Sequence, residues 1–292
     1  MKDKRVSLTE AAKLVPSGCT LAIGGGINRR NPSALVRELV RQGVKDLTIL
    51  AWNVGFDLDI LVGVGAVKRY EGPYAGMGPL GFANNFRRAV EQGTVTVGDY
   101  SETAALARLR AAGLGLPFMP TKVLLGTDMA TYAPDVKAIT CPFTGQKLHA
   151  VAAAKPDVAI LYAYAADCHG NVQWPVVRNT DVDLPMAKAA DRVIVVAEKI
   201  IPHEQVERTP AYTYVPHYWV EAVVEAPFGA HPGSSDGLYE ADEEHLKMYC
   251  EMSRQPESFQ QYLQRYVYEP KDHWDYIERV GGVQKMYQLR AG

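Results

Sequence analysis

The stretch that decides the fold is Thr20-Leu-Ala-Ile-Gly-Gly-Gly-Ile-Asn-Arg-Arg-Asn-Pro32, which runs directly into Ser33-Ala-Leu-Val-Arg-Glu-Leu-Val-Arg-Gln-Gly43. Its first four residues form a short, largely apolar run that ends at three glycines. Asn31 is a good helix N-cap, and Pro32 suits the first helical position because its missing N–H would be unpaired there. Leucines and valines then recur at helical spacing up to Gly43, a residue type that ends helices. The pattern predicts a strand, a glycine turn and a helix.

The glycine turn Gly24-Gly-Gly26 brings backbone N–H groups and the positive end of a helix dipole to one point. An anion can approach the chain closely there. However, the turn lacks the G-x-G-x-x-G spacing of a dinucleotide site, and no Gly-Lys-Ser/Thr follows as in a nucleotide triphosphatase. A ligand-contacting loop and a plain structural turn are therefore both open interpretations.

The composition is that of an ordinary globular protein, since the 292 residues are 47% hydrophobic and 22% charged. Acidic and basic residues nearly balance, with a formal net charge of -2, so we expect no nucleic-acid partner. No apolar run approaches the roughly 20 residues of a membrane helix, and the first residues lack the apolar core of a secretory signal. Four scattered cysteines without a C-x-x-C pair favour reduced thiols. We expect a cytoplasmic protein without a membrane partner.

Apolar runs alternate with helical patterns along the rest of the chain. We predict strands at 20–23, 47–52, 94–97, 122–125, 158–164, 192–198 and 220–225. We predict helices at 8–15, 33–43, 82–91, 103–112, 151–155, 184–190, 242–254 and 258–266. Residues 126–147 are predicted to be irregular, and 71–81 is predicted to fold over a site or against a partner. The alternation predicts one doubly wound α/β domain over residues 1–292, with a helical extension from about residue 240.

The sequence Asp167-Cys168-His169 invites a metal-site interpretation. Neighbouring side chains in extended backbone face opposite ways, and no second cluster lies at zinc spacing, so we predict no metal site. The alternative is a tight turn in which Asp167 and Asn171 bond backbone groups. Because this turn ends a predicted buried strand, it either shapes the wall of a site or only terminates the strand.

Glu102 is the carboxylate that the pattern singles out, at the start of an apolar helix after Ser101. One interpretation is that it complements the helix dipole while Ser101 caps the helix. The other is a general base or a nucleophile toward a thioester. Glu198, at the end of a predicted strand, carries the same ambiguity, and Asp57 and Asp59 are predicted to be helix caps.

The order of four segments resembles the A (alpha) subunit of class I acyl-CoA transferases, of the glutaconate CoA-transferase type. The resemblance covers roughly the first 270 residues, and the segments are more specific together than any one alone. They are Ala22-Ile-Gly-Gly-Gly-Ile-Asn-Arg-Arg-Asn-Pro32, Ala112-Gly-Leu-Gly-Leu-Pro-Phe-Met-Pro120, Ala166-Asp-Cys-His-Gly-Asn-Val172 and Glu225-Ala-Pro-Phe-Gly-Ala-His-Pro232, followed by Tyr239 and Asp242.

The resemblance implies a three-layer α/β/α fold with a mainly parallel sheet, and a partner B subunit of similar fold in an α2β2 heterotetramer. In this family the catalytic glutamate usually belongs to the B subunit, where it passes CoA to an acceptor carboxylate through a glutamyl-CoA thioester. The CoA thioester is then a substrate, and no bound cofactor is implied. The resemblance assigns part of the acyl pocket to Gly24, Gly25, Gly26, Asn28, Arg29 and Asn171. Arg29 or Arg30 would hold a substrate carboxylate bidentately.

The same resemblance leaves a different chemistry open. Some relatives of this type are ring-opening hydrolases of bacterial steroid degradation, which cleave a carbon–carbon bond in a cyclic CoA thioester. In them a glutamate of the alpha chain is implicated at the position that resembles Glu102. A non-catalytic binding subunit is a third possibility, and the acyl substrate is not predicted from this chain.

Overall fold

The computed structural model describes residues 1–174 and 182–290, and every statement below concerns those residues. The strands are β1 (Thr20–Ile23), β2 (Leu47–Ala51), β3 (Asn53–Val54), β4 (Val67–Gly72), β5 (Tyr74–Ala75), β6 (Thr96–Asp99), β7 (Phe118–Thr121), β8 (Val136–Thr140), β9 (Lys147–Ala152), β10 (Val158–Ala163), β11 (Ala165–Ala166), β12 (Val172–Gln173), β13 (Arg192–Ala197), β14 (Thr213–Val215) and β15 (Val220–Glu225).

The α-helices are α1 (Leu8–Ala12), α2 (Ser33–Arg41), α3 (Phe56–Gly63), α4 (Asn84–Glu91), α5 (Glu102–Gly113), α6 (Met129–Tyr132), α7 (Asp183–Ala189), α8 (His203–Arg208), α9 (Glu243–Met252), α10 (Pro256–Leu263), α11 (His273–Arg279) and α12 (Gly282–Gln288). Short 3-10 turns lie at Gly78–Leu80, Pro210–Tyr212 and His217–Trp219, and a π-helical turn follows α10 at Gln264–Tyr268.

The main sheet of the described residues is parallel and has seven strands in the order β15-β13-β10-β1-β2-β4-β6. Strand β1 lies between β2 and β10, where Ala22 is in register with Leu50 on one side and with Ala159 on the other. The chain therefore builds the sheet outward in both directions from β1 and β10. Ligands of open α/β sheets bind outside the carboxyl ends of the strands at such a switch point. The glycine turn leaves β1 at that place.

Alternating side chains of β1 explain why helices cover both faces of the sheet. Leu21 and Ile23 belong to the larger core cluster, which includes residues of α2, α3 and the C-terminal helices. Ala22 points the opposite way, into a second cluster that includes residues of α5 and α7, such as Leu109 and Met186. The predicted parallel sheet, the α/β class and the C-terminal helices are confirmed.

One region departs from the sequence prediction. The helix predicted at 151–155 is instead the end of β9, and the strand predicted at 122–125 is a turn that follows β7. Residues 126–147, predicted to be irregular, contain α6, β8 and the start of β9. Strands β7, β9 and β8 form a separate antiparallel sheet. Its side chains are largely solvent-exposed, so the sequence lacks the apolar runs that mark the central strands.

Candidate active site

The loop that leaves β1, residues 24–31, folds back on itself in a tight turn. Gly26 donates its N–H to the carbonyl of Arg29 over 2.9 Å, and Arg29 donates back to the carbonyl of Gly26 over 2.8 Å. Gly25 has a φ of +84°, and a Cβ there would collide with the carbonyl oxygens of Arg29 and Arg30. Only glycine fits at position 25 without strain, so this residue closes the turn.

The expected cluster of bare backbone donors does not form. Gly24 donates its N–H to the carbonyl of Ile160 over 2.9 Å, and Gly25 donates to the Asp183 carboxylate over 2.8 Å. The N–H of Gly26 is used inside the turn. Because each glycine N–H already has a partner within the chain, the prediction of an anion-binding glycine turn is wrong.

The start of α2 is closed in the same way. The helix begins at Ser33, Pro32 occupies the cap position, and no side chain caps the helix. Asn31, predicted to be the N-cap, instead turns its Nδ2 toward the carbonyl of Gly24 at 3.4 Å. The N–H of Ala34 is held by the carbonyl of Gly229 over 2.8 Å. Protein groups therefore occupy the place where a ligand would meet the positive end of the helix.

The two neighbouring arginines of the loop have opposite environments. Arg30 is 3% exposed and places Nη1 2.6 Å from Asp183 Oδ2 and Nε 3.3 Å from Asp236 Oδ2. Arg29 is exposed and forms no ion pair with a described residue. Of the two candidates for a carboxylate clamp, only Arg29 presents its guanidinium to a ligand.

Asn28 ties the loop to the next part of the site. Its Oδ1 accepts the N–H of Phe56, at the start of α3, over 3.2 Å. Its own carbonyl accepts the N–H of Ser234 over 2.9 Å. The side chain of Asn28 is thus partly used to hold the loop against α3, and its exposed part lines the cleft described next.

An open cleft of about 800 Å³ lies between this loop, β3, the segment at Met77–Leu80 and the chain from Ser234 to Lys247. Its apolar wall is formed by Ile27, Trp52, Met77, Pro79, Leu80, Ala241 and Leu246. Its charged members are Arg29, Arg30, Asp236, Glu240, Glu243 and Lys247. Lys247 pairs with Glu243 at 3.1 Å, so Arg29 is the cation of the cleft without an ion pair among the described residues. The predicted loop at 71–81 contributes to this cleft.

Glu102 lies one side chain away from the cleft. It is the first residue of α5, where Ser101 caps the helix by accepting the N–H of Ala104 over 3.2 Å. Asn53, which lines the cleft and is 8% exposed, donates its Nδ2–H to Glu102 Oε1 over 2.9 Å. The backbone carbonyl of Asn53 also accepts the N–H of Ile27 over 2.8 Å. Asn53 therefore contacts both the glycine loop and Glu102, although sequence patterns give it no special mark.

Asn171 lies away from the glycine loop and does not line the cleft. It is 7% exposed, donates its Nδ2–H to Asp167 over 2.8 Å, and accepts the N–H of His217 over 3.2 Å. The buried Asp167 also accepts the N–H groups of His169 and Asn171 over 3.0 and 2.8 Å and a bond from His203 Nδ1 over 2.7 Å. The structure therefore favours the turn-closing interpretation of Asp167 and Asn171 over the site-wall interpretation.

The other candidate carboxylates have internal partners or are fully buried. Asp57 and Asp59 lie inside the first turn of α3 rather than at its cap, and burial raises the pKa of Asp57 to about 7. Asp59 instead accepts the N–H of Phe86 over 2.9 Å and so holds the start of α4. Glu198 accepts the N–H of Phe228 over 2.7 Å and a short hydrogen bond from Tyr162.

No three His, Cys, Asp or Glu residues in the described part of the chain lie together as a metal-binding group. None of the helices within residues 1–174 and 182–290 is long and apolar enough to cross a membrane.

A parallel sheet with a switch point, two helical layers and an open cleft at the carboxyl end of β1 define an α/β protein of the ligand-binding type. The chain belongs to the coenzyme A transferase family, whose model matches residues 5–226. It is 37% identical to the alpha-type chain of glutaconate CoA-transferase from Acidaminococcus fermentans, over 96% of this chain and 92% of that protein. The crystal structure of glutaconate CoA-transferase from the same organism superposes with a TM-score of 0.93 and 34% identity, over 99% of this chain and 96% of that chain.

Two further relatives widen the picture. The chain is 31% identical to the cholesterol ring-cleaving hydrolase IpdA subunit of Rhodococcus jostii, over 94% of this chain and 95% of that protein. It is 38% identical to an uncharacterized protein of Archaeoglobus fulgidus, over 99% of this chain but only 65% of that protein. The family therefore contains more than one chemistry and more than one chain length.

Proposed function

We propose that this chain is the A (alpha) subunit of a two-subunit CoA-transferase that moves CoA between an acyl-CoA thioester and a carboxylic acid. The observation that carries the proposal is Arg29, an exposed guanidinium without an internal ion pair on the wall of the cleft, in a chain of the coenzyme A transferase family. A guanidinium binds a carboxylate through two parallel hydrogen bonds. Arg29 therefore supports a dicarboxylic acyl group, held by the carboxylate that does not react.

In the proposed reaction the nucleophile is a glutamate of the partner B subunit. Its carboxylate attacks the thioester carbonyl, expels CoA as a thiolate and forms an acyl-glutamyl anhydride. The thiolate then attacks the glutamyl carbonyl, which releases the acyl carboxylate and leaves a glutamyl-CoA thioester. An acceptor carboxylate reverses these two steps and takes the CoA, so the kinetics are of the ping-pong type.

The role proposed for this chain is to supply one wall of the acyl pocket and the interface with the B subunit. Two observations support a partner: the relative from Acidaminococcus fermentans carries the name of a subunit, and large apolar side chains are exposed around the antiparallel sheet. Phe143 is 93% exposed and Tyr132 is 83% exposed, and such surfaces mark interaction sites. We propose an α2β2 assembly in the cytoplasm, in which the CoA thioester is a substrate and no cofactor is bound.

The test is reconstitution. This chain and a B subunit encoded beside it are purified separately, then mixed with an acyl-CoA and an isotopically labelled acid, and the CoA esters are followed by mass spectrometry. We expect labelled acyl-CoA only when both chains are present. Full exchange by this chain alone would contradict the proposed division of labour, and no exchange with any acid would contradict CoA transfer.

A second candidate function is ring opening of a cyclic CoA thioester, with Glu102 as the active carboxylate. Two observations favour it: the identity with the ring-cleaving hydrolase subunit, and the hydrogen bond that holds Glu102 on Asn53 at the cleft. The same mass spectrometry separates the two functions, since a ring-opened CoA product without CoA exchange selects the hydrolase.

A further inference from the structure

We infer that Asp183 is a positioning residue, which holds Arg30 inside the protein and thereby keeps the neighbouring Arg29 directed into the cleft. The inference deepens the proposed function and rests on it, because it concerns the residue that would bind the substrate carboxylate. Asp183 itself touches no residue of the cleft except through the loop.

The Asp183 carboxylate connects the two ends of the loop. Its Oδ1 accepts the N–H of Gly25 over 2.8 Å, and its Oδ2 accepts a hydrogen bond from Nη1 of Arg30 over 2.6 Å. Both charged side chains are almost fully buried, at 1% exposure for Asp183 and 3% for Arg30. One carboxylate thus fixes the place where the turn begins and the place where it ends.

The backbone between these two points has little freedom left. Arg30 has a φ of 53°, in the left-handed region that side chains rarely adopt. Its N–H is held by the carbonyl of Ser234 over 2.7 Å, while Ser234 donates to the carbonyl of Asn28 over 2.9 Å. Arg29 lies between these anchored residues, so its side chain is directed away from Arg30 and toward the cleft.

The charge pattern favours this arrangement over its reverse. With Asp183 ionised, Arg30 has a partner in the interior, whereas Arg29 has no acidic partner among the described residues. Loss of one partner from a buried ion pair leaves an uncompensated charge, which is strongly unfavourable. If Asp183 were neutral, Arg30 would therefore lose its reason to stay inside, and the direction of both guanidinium groups would become variable.

The test uses the reconstituted two-chain complex and Asp183→Asn, which keeps the size of the side chain but removes its charge. We expect KM for an acidic acyl acceptor to rise about tenfold, because misplacement of a binding group is costly, with little change in KM for a neutral acceptor. Combined with Arg29→Ala, it should add nothing to the loss caused by Arg29→Ala alone, since both changes remove one interaction. Equal effects on both acceptors, or full additivity, would overturn the inference.

A second readout does not depend on activity. Hydrogen exchange of the Gly25 amide should speed up at least about tenfold in Asp183→Asn, because its acceptor is weakened. Unchanged exchange at Gly25 would overturn the inference whatever the kinetics show. If the proposed function itself fails, Arg29→Ala shows no preference between acidic and neutral acceptors, while the exchange at Gly25 still decides whether Asp183 holds the loop.

Two further variants guard the test. Asp191→Asn is the matched control, because it removes the same charge from an exposed ion pair with Lys155 just after α7, and we expect neither KM nor exchange at Gly25 to change. Should Asp183→Asn fail to fold, Arg30→Lys keeps the buried charge but lacks the planar donor set of arginine. It should raise KM for the acidic acceptor in the same selective way, and an unselective rise would count against the inference.

Discussion

The turns that follow β1 and β10 leave neighbouring strands of one parallel sheet, yet they use their polar groups in opposite ways. In the turn after β10, the carboxylate of Asp167 and the amide of Asn171 bond groups of the turn and its supports. In the turn after β1, the backbone donors are likewise consumed, but one guanidinium, that of Arg29, is left outside.

The difference teaches how to judge a polar turn at the end of a strand. Its residue types alone do not make a binding site, because the turn itself can use them all. What matters is whether a charged group remains after the internal hydrogen bonds are counted. The turn after β10 should therefore matter for stability, and the turn after β1 should matter for binding.

The largest effect is expected from Asp167→Ala. This change leaves buried donors on His169, Asn171 and His203 without their acceptor. We expect the free energy of unfolding to fall by about 3–5 kcal/mol, as for loss of one partner from a buried charged network. Urea titration followed by circular dichroism measures it, with Asp191→Ala, at an exposed ion pair, as the control. A loss below about 1 kcal/mol would mean that the network is not stabilising.

Arg29→Ala should show the opposite behaviour. We expect KM for an acidic acyl group to rise about 10–100-fold, which corresponds to about 1.5–3 kcal/mol for hydrogen bonds to a charged group. A neutral acyl group should lose little, and Tm should not change because the side chain has no internal ion pair. Arg87→Ala, at an exposed arginine paired with Glu91 at 2.9 Å, is the matched control. Equal losses for acidic and neutral groups would contradict a carboxylate clamp.

Glu102→Gln separates the proposed functions. For CoA transfer with a nucleophile on the B subunit, we expect the rate to fall only a few-fold, because the amide still accepts a hydrogen bond from Asn53. For ring opening by Glu102, the rate should fall by at least about 100-fold, as expected when a catalytic acid or base is removed. Product analysis of the reconstituted complex measures both. Full activity of both Glu102→Gln and Arg29→Ala would indicate a non-catalytic binding subunit.

The smallest effect concerns pH and the turn after β10. The hydrogen bond to Asp167 raises the pKa of His203. Burial opposes ionisation of Asp167, but hydrogen bonds from Asn171 and His203 hold its pKa below the usual value of 3.8. The contribution of His203 is complete below its unfolded pKa of about 6.5 and is lost as pH rises through the higher folded value. The contribution of Asp167 is present above its unfolded pKa and is lost as pH falls through the lower folded value.

We therefore expect His203→Gln to lower Tm more at about pH 6 than at about pH 8.5. Differential scanning calorimetry at the two pH values measures this difference. The reverse order, with the greater loss at the higher pH, would show that the ion pair is not the source of the stabilisation.

The central sheet and its helices could be predicted because their residues repeat in simple patterns. Strand β10 is apolar on both faces, and α2 shows leucines and valines at helical spacing. The antiparallel sheet at Phe118–Ala152 was missed because its side chains are mostly exposed and do not alternate cleanly. The strand β4 was missed for a related reason: its charged Arg69 and Glu71 pair with each other at 2.6 Å, so a strand of the sheet looks polar in sequence.

The candidate site was only partly predictable. The sequence identifies the glycine turn and both arginines, but it cannot tell Arg29 from Arg30, because the difference lies in Asp183, which is more than 150 residues away. Asn53 carries no sequence signal either, since its role depends on the side chain of Glu102 reaching it across the sheet edge. Contacts between distant segments decide which polar groups remain for a ligand, and a single sequence does not contain them.

The closed hydrogen bonding of the glycine loop makes position 29 separable from the fold that carries it. Since the backbone donors on Gly24, Gly25 and Gly26 are satisfied by other groups, replacement of the Arg29 side chain removes no support from the turn. A library of variants at this single position should alter the choice of acyl group while the scaffold stays intact. The loop is in this sense an exchangeable selectivity element, and substrate range can be redesigned there with one codon.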